Sequence, residues 1–260
     1  MMDSPSAPSS ILVDLELPEP APLPSALVRV LSSLRVVLLG WFSVPEQTSP
    51  AQARGQFGAE AEDMLDAAAR RFEEAGAEVT TRLVFTGDEL DTISRVSVEE
   101  SCDAVLIPGP VEQLRRVLVP LRGIQNVREI APFVADLCQD GTARVTLLHV
   151  LEGDELDGDE ATAASREDVL EPAAERMRSA GIEAGLLELN SVAADSPADA
   201  IVEWAGGHDL AVLGETEPSV REVLFGTMPE QIVEAVNVPI IVVRHGEEAA
   251  KMAERTTQAD

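Results

Sequence analysis

Short apolar runs alternate with longer amphipathic stretches along most of the chain. In the first half the apolar runs predict strands at 11–17, 35–41, 78–85 and 103–107, and the amphipathic stretches predict helices at 25–34, 52–75 and 88–100. Apolar residues recur on one face of the longest helix, and Gly76 stands where a C-terminal cap is expected. This half therefore predicts a regular alternation of strands and helices.

The second half repeats this alternation and extends it. Strands are predicted at 117–121, 144–150, 182–189, 209–213 and 238–243, and helices at 127–138, 166–180, 197–205 and 227–235. Strands that alternate with helices form parallel sheets, which right-handed crossover helices cover on both faces. We therefore predict an α/β fold.

The two halves also match residue by residue at a spacing of about 105 positions. Glu62-Asp63-Met64-Leu65 corresponds to Glu167-Asp168-Val169-Leu170, and Ala75-Gly76 corresponds to Ala180-Gly181. In the same way, 103–106 matches 209–212, and 11–13 matches 117–119. A period of this length is much longer than a solenoid repeat, so it indicates two copies of a whole domain in tandem.

The first copy is predicted to be truncated. We expect one domain at 10–110 and a complete one at 114–246, between terminal tails at 1–9 and 247–260. The helix at 227–235 and the strand at 238–243 have no counterpart in the first copy, because only 111–116 separate its last strand from the second copy. An exposed strand edge must be covered or paired, so we expect the two copies to dock as a pseudo-dimer.

The strongly acidic composition of the chain bears on its environment and on its binding partners. The formal net charge is -28, and Lys251 is the only lysine among the 19 basic residues. Such an acidic surface resembles that of haloarchaeal proteins, because at molar salt the Debye length falls to about 3 Å and carboxylate repulsion is screened. GC-rich coding is the alternative explanation for the scarcity of lysine. The sequence has no basic stripe, which argues against nucleic acid as a partner.

The sequence also lacks signals of membrane insertion and secretion. No apolar run reaches the length of a membrane span, and the first ten residues have neither a basic nor an apolar region. Cys102 and Cys138 are isolated thiols, which is typical of cytosolic proteins. We expect a cytoplasmic protein that does not enter the membrane. His149, at the end of an apolar strand, is expected to be a buried histidine, and the scattered histidines suggest no metal site.

The candidate ligand site lies at the end of the strand that closes with Gly214. In doubly wound sheets ligands bind beyond the carboxyl ends of the strands, and a glycine there lets a ligand approach the backbone. Farther on, Gly226-Thr227 opens a predicted helix, whose free N–H groups favour an anion such as phosphate. The alternative needs no ligand, because Thr227 and Glu230 have the spacing of a capping box.

Three stretches of the second copy resemble the universal stress protein family. They are the C-terminal signature, which runs from Val212-Leu213-Gly214 through Leu224-Phe225-Gly226-Thr227-Met228-Pro229-Glu230 to Val238-Pro239-Ile240-Ile241-Val242-Val243-Arg244, and two strands, Val117-Leu118-Val119-Pro120 and Leu147-Leu148-His149-Val150. The resemblance covers 115–245, and a degenerate version covers 10–110. It implies two Rossmann-like domains of the adenine nucleotide alpha hydrolase-like type, a cytoplasmic location, and a homodimer that pairs through the strand at 238–243.

One branch of this family binds ATP through a glycine-rich loop that ends in Ser or Thr. Gly214, Gly226 and Thr227 match that pattern, but Glu217 replaces its middle glycine and Arg122 replaces the family's aspartate after the first strand. Arg122 removes a hydroxyl acceptor, yet it could pair with a phosphate or with Glu217. The resemblance therefore implies at most one nucleotide site, in the second copy. Its residues would be Val119, Pro120, Leu213, Arg122, Gly214, Gly226, Thr227 and Met228.

These observations favour a non-catalytic binding or regulatory protein of the universal stress type, with ATP as the candidate cofactor and no metal. The first alternative is a soluble regulator of a membrane transporter, because similar tandem domains form the cytosolic tails of permeases. The second alternative is a slow ATPase, for which Glu217 is the nearest candidate base.

Overall fold

The computed structural model describes residues 8–44, 49–151, 164, 166–214 and 236–244. The chain divides into two compact units, and the division lies between Leu106 and Ile107. The predicted helix at 227–235, together with Glu217, Gly226, Thr227, Met228 and Glu230, lies outside the described residues.

Unit 1, the N-terminal unit, contains a parallel sheet with helices between its strands. Its elements are β1 Ser10–Leu17, α1 Ser25–Leu31, β2 Arg35–Ser43, α2 Pro50–Glu74, β3 Glu78–Thr86, α3 Glu89–Glu99 and β4 Ala104–Ile107, which reaches the boundary. The strand order is β3-β2-β1-β4. β1 pairs with β2 along its whole length, from Ser10 opposite Arg35 to Leu17 opposite Phe42.

Unit 2, the C-terminal unit, contains a second parallel sheet. Its elements are β5 Arg116–Leu121, α4 Val127–Leu137, β6 Arg144–Leu151, α5 Glu171–Ser179, β7 Leu187–Ala193, α6 Pro197–Ala205, β8 Leu210–Gly214 and β9 Ile240–Val243. The strand order is β7-β6-β5-β8-β9, and every pairing is parallel. The predicted α/β class is therefore confirmed.

Two elements of unit 2 differ from the prediction, a strand that begins late and a helix whose first turn is not α-helical. The strand expected at 182–189 begins only at Leu187, because the chain first makes a short 3-10 turn, Ala184–Leu186. The helix expected from 166 opens with a π-helical turn, Arg166–Leu170, and becomes α-helical at Glu171. Pro172 has no N–H to donate to the preceding turn, so the α-helical hydrogen-bond pattern cannot run unbroken through it.

An aspartate at the start of the fourth strand anchors the first strand in each unit. In unit 1 the Asp103 Oδ2 accepts hydrogen bonds from the backbone N–H of Ser10 at 2.7 Å and from its hydroxyl at 2.8 Å. In unit 2 the Asp209 Oδ2 accepts from the backbone N–H groups of Arg115 and Arg116, at 2.8 and 2.9 Å. The two aspartates occupy matching positions of the sequence repeat, so each copy fixes its sheet with the same polar contact.

The long helices before β3 and β7 also end in the same way. Gly76 and Gly181 have φ values of +101° and +112°, a conformation that favours glycine. In unit 1 the N–H of Ala77 donates to the carbonyl of Phe72 at 3.0 Å. In unit 2 the N–H of Ile182 donates to the carbonyl of Met177 at 3.1 Å. This is the Schellman pattern, and it explains why the glycine recurs in both copies.

Apolar side chains fill the space between sheet and helices within unit 2. One cluster buries Leu118, Leu148, Ala211, Leu213 and Val242 beneath Ala200 and Ala205 of α6. Burying a side chain of leucine size contributes about 1.5–3 kcal/mol relative to leaving it exposed. This cluster holds β5, β6, β8 and β9 side by side, and so fixes where their carboxyl ends lie.

Candidate ligand site at the carboxyl ends of β5 and β8

The strand order of unit 2 places a topological switch point beside β5. The chain leaves β5 toward β6 on one side and returns to β8 on the other. In open α/β sheets, ligands bind in the crevice outside the carboxyl ends of the strands at such a point. The carboxyl ends of β5 and β8 are therefore the place where a ligand is expected in this unit.

β5 and β8 separate toward their carboxyl ends. β5 pairs with β6 from Arg116 to Leu121, but its pairing with β8 comprises Val117 opposite Leu210 and Leu118 opposite Ala211. Beyond those pairs β8 continues to Gly214 alongside β9. Pro120 falls in the part of β5 that has left β8, where its missing N–H costs no hydrogen bond of the ladder. In doubly wound sheets ligands bind where neighbouring strands diverge in this way, and we call the region between the ends of β5 and β8 the crevice.

The side chain of Asn126 lies directly against Gly214 in this crevice. A Cβ added at Gly214 would come within 2.8 Å of the Asn126 Nδ2, closer than real Cβ atoms are found, and within a tight 3.1 Å of the Asn126 Cβ. Gly214 is buried and Asn126 is partly buried. A side chain at position 214 would therefore displace the Asn126 carboxamide, so the contact favours glycine there whatever the ligand.

Asn126 stands at the N-cap of α4 but does not use its side chain there. Its φ and ψ are −87° and −9°, and the side chain makes no capping hydrogen bond. An asparagine that caps a helix contributes about 1 kcal/mol. Here that contribution is given up, and the carboxamide is placed against the end of β8 instead.

Arg122 and His149 stand at the β6 side of the crevice. Arg122 follows β5 and is exposed, whereas His149, opposite Leu121 in the register, is partly buried. Burial lowers the pKa of His149 below its ordinary value, and a hydrogen bond with the backbone of Arg122 acts in the opposite direction. His149 is therefore neutral at pH 7, and Arg122 supplies positive charge at this end of the sheet. His149 was expected to be buried, but the structure leaves it partly exposed.

The equivalent end of unit 1 is acidic. Asp14 and Glu16 of β1 match Pro120 and Arg122 in the repeat. Burial raises the pKa of Asp14, and a 3.3 Å hydrogen bond from the Trp41 Nε1 to its Oδ2 partly offsets that rise. The pKa of Glu89, in the first turn of α3, is raised by desolvation and then by Asp14 and Glu16. Three carboxyl groups thus influence one another where unit 2 has an arginine.

The five predicted site residues that the structure describes all lie at these strand ends. Val119 and Pro120 are buried in β5, Arg122 follows it, and Gly214 ends β8. Leu213 packs into the apolar cluster with Leu118 and Leu148. Asn126 was missed, because an asparagine before an amphipathic stretch suggests a helix cap. The signal that could have found it is the pairing of that asparagine with a glycine at the end of a nearby strand.

In the described part of the chain, potential metal ligands are scattered and both thiols are buried. No group of three or more His, Cys, Asp or Glu side chains there is arranged to hold a metal ion. Cys102 and Cys138 are both buried, and burial raises the pKa of the Cys138 thiol to about 12.

No helix in the described ranges is long and apolar enough to span a membrane.

Comparison with known families identifies the chain. The model of the universal stress protein family matches residues 113–244, just over half of the 260 residues. The chain belongs to the universal stress protein family. The match contains all of β5 to β9 and the crevice described above.

Solved structures agree on the fold. A universal stress protein from Archaeoglobus fulgidus DSM 4304 is 15% identical, with a TM-score of 0.58, and the alignment covers 92% of this chain and 97% of that one. A putative universal stress protein from Pseudomonas aeruginosa UCBPP-PA14 is 16% identical, with a TM-score of 0.55 and coverage of 96% and 98%. At these identities the likeness shows the fold alone.

A third structure contains a nucleotide. The universal stress protein from Archaeoglobus fulgidus in complex with dAMP is 21% identical, covers 50% of this chain and 97% of its own, and has a TM-score of 0.39. The dAMP is a ligand of that protein. No curated protein sequence matches the chain.

Proposed function

We propose that this universal stress protein is a cytosolic, non-catalytic binding or regulatory protein that holds one adenine nucleotide per chain, with ATP among the candidates. The site is the crevice between the carboxyl ends of β5 and β8 in unit 2. The observation that carries the proposal is the difference in charge between the two units at this position. Unit 2 has Arg122 there, and unit 1 has Asp14, Glu16 and Glu89.

Electrostatics favours unit 2 for an anionic ligand. Arg122 is exposed, so its attraction for a phosphate is worth about 1 kcal/mol or less. In unit 1 the opposing effect comes from Asp14, which is partly buried and whose pKa is raised, mainly by desolvation and further by Glu16. A further negative charge placed there is screened less than at the surface. The preference for unit 2 therefore rests more on repulsion in unit 1 than on attraction by Arg122.

The remaining predicted site residues keep their proposed roles. We assign Val119, Pro120 and Leu213 to the adenine side, and Gly226, Thr227 and Met228 to the phosphate side. Gly214, which the family resemblance also places on the phosphate side, lies against Asn126. We propose no catalysis, because the sequence contains no nucleophile motif and offers Glu217 as the only candidate base for a slow ATPase.

We also propose that the chain is a tandem of two such domains, the first truncated and serving as an interaction scaffold. The net charge of -28 supports function at high salt, as in haloarchaea. Docking of the two copies and a homodimer through 238–243 stay predictions. Regulation of a membrane transporter is the second candidate; it has only the resemblance to permease tails in its favour.

The proposal is tested by stoichiometry and by exchanging charge between the units. The protein is purified in molar potassium chloride, denatured, and its released small molecules are measured by mass spectrometry; titration calorimetry with AMP and ATP then counts the sites. We expect about one adenine nucleotide per chain. Arg122→Glu should weaken AMP binding at least about fivefold, the equivalent of about 1 kcal/mol.

The matched control is Glu16→Arg, which makes the opposite charge change at the equivalent position of unit 1. We expect it to alter AMP affinity less than twofold. Two sites per chain, or equal effects of both variants, would contradict the assignment to unit 2. A protein that carries and binds no adenine compound would reject the nucleotide altogether.

A further inference from the structure

Asn126 occupies the space that the end of β8 leaves above Gly214. Three atoms of the Asn126 side chain, Nδ2, Cβ and Cγ, lie 2.8, 3.1 and 3.2 Å from the position that a Gly214 Cβ would take. A glycine in this position is usually read as room for a ligand to approach the backbone. In this protein that room is already filled by a side chain of the same unit.

The placement of Asn126 is specific to the crevice. The residue begins α4 and its side chain does not cap that helix. α4 packs against β8 and β9, which holds the start of the helix over the strand ends. The carboxamide is uncharged, so it occupies the space without compensating the negative charge of a phosphate group.

We propose that Asn126 is the specificity-determining residue of this site, and that it restricts the ligand to adenine compounds with one phosphate or none. This inference rests on the proposed nucleotide-binding function and states which member of the class the site takes. A triphosphate that ran along β8 toward Gly214 would need the volume that the carboxamide holds. An adenosine or AMP molecule can bind at the β5 and β6 side of the crevice, beside Arg122, without displacing it.

The test compares AMP with ATP in the wild-type chain and in Asn126→Ala. In titration calorimetry at molar salt we expect the wild type to bind AMP at least about tenfold more tightly than ATP. Asn126→Ala should tighten ATP binding, so that the two affinities come within about threefold, while AMP affinity changes little. Asn190→Ala serves as the control, because Asn190 is a partly buried asparagine of β7 away from the crevice.

The outcomes separate this inference from the proposed function. If AMP binds but the ratio of affinities is the same in Asn126→Ala, the nucleotide site stands and the role of Asn126 is wrong. If Asn126→Ala loses AMP binding, the residue is a ligand contact and does not exclude phosphate. If neither nucleotide binds to either protein, the proposed function fails, and this inference fails with it.

A second measurement tests the close contact without any ligand. Gly214→Ala should lower the midpoint of thermal unfolding, because its Cβ meets Asn126. Adding Asn126→Gly to Gly214→Ala should restore most of that loss, as expected for two residues in contact. An equal loss with and without Asn126→Gly would show that the contact does not set the requirement for glycine.

Discussion

The two units have equivalent contacts at the amino ends of their strands but differ in charge at the carboxyl ends. At the amino ends of their strands, Asp103 and Asp209 make equivalent hydrogen bonds to β1 and β5. At the carboxyl ends, Asp14 and Glu16 in one unit stand where Pro120 and Arg122 stand in the other. The contacts that hold the sheet are therefore alike in the two units, whereas the residues at the carboxyl ends of the strands differ in charge.

The chain carries a natural reporter for each unit. Trp41 lies in β2 of unit 1 and Trp204 in α6 of unit 2, and they are the only two tryptophans. A Trp41→Phe background leaves fluorescence from unit 2 alone, and a Trp204→Phe background leaves unit 1 alone. The comparison between the units can therefore be tested one unit at a time.

The largest effect is expected at Gly109, which lies in the segment before β5. A Cβ there would be 2.6 Å from the backbone N of Pro239 and from the carbonyl carbon of Val238. Backbone atoms cannot move aside cheaply, so Gly109→Ala should destabilise unit 2 by about 3 kcal/mol. Denaturant unfolding followed through Trp204 measures the loss. Gly123→Ala, whose Cβ would meet nothing within 4 Å, is the control; an equal loss in both variants would contradict the contact.

The shared aspartate should be the next largest effect, and it should appear in both units. Asp209→Ala removes two hydrogen bonds to backbone N–H groups, and Asp103→Ala leaves the buried Ser10 hydroxyl without this acceptor. Each change should cost about 2 kcal/mol in its own unit. The two single-tryptophan backgrounds report the losses separately. A large loss in only one unit would show that the anchor is not equivalent in the two copies.

Acid should weaken unit 2 through His208. Its Nδ1 lies 2.7 Å from the carbonyl of Trp204, which can only accept, so the Nε2, at 2.9 Å, accepts from the Thr146 hydroxyl. Burial lowers the pKa of His208, so the folded unit binds its proton less readily than the unfolded chain. The stability that this difference gives is present above pH 6.5, the ordinary value for histidine, and is lost as pH falls toward the lowered pKa.

His208→Gln tests this dependence. The variant should be less stable at pH 8, because the buried network is lost, but its stability should change less than that of the wild type between pH 7 and pH 5. Denaturant midpoints in the Trp41→Phe background supply the measurement. An unchanged slope with pH would assign the acid sensitivity to other groups, such as His149, whose pKa is also lowered.

Acid should stabilise unit 1 through Asp14, and this is the smallest of the four stability effects predicted here. The pKa of Asp14 is raised, so folding favours its protonated form and unit 1 gains stability as pH falls through the raised pKa toward the ordinary 3.8. Asp14→Asn should stabilise unit 1 at pH 7, since an amide oxygen can still accept from the Trp41 Nε1. Unfolding in the Trp204→Phe background checks it, and a destabilised Asp14→Asn protein would contradict the direction.

Local sequence patterns predicted most of the helices and strands that the structure describes. The apolar periodicity predicted β1, β2, β5 and α6 closely, and the glycines at 76 and 181 marked helix ends in both copies. The delayed start of β7 was not predicted, because Ile182 is apolar and extends the strand pattern backward, whereas the 3-10 turn depends on how α5 and β7 pack. Of the candidate site, the sequence predicted the strand ends but not Asn126.

The sequence by itself determined which segments form strands and helices, that one pattern occurs twice, and that Arg122 follows the first strand of the second copy. Those properties depend on side-chain periodicity and on residue types within a few positions of one another. Only the tertiary structure decided that Asn126 fills the space above Gly214, that Gly109 touches the backbone of Pro239, and that burial shifts the pKa of Asp14. Each of these depends on the separation of atoms that are distant in sequence or on the loss of water around them, and local sequence patterns specify neither.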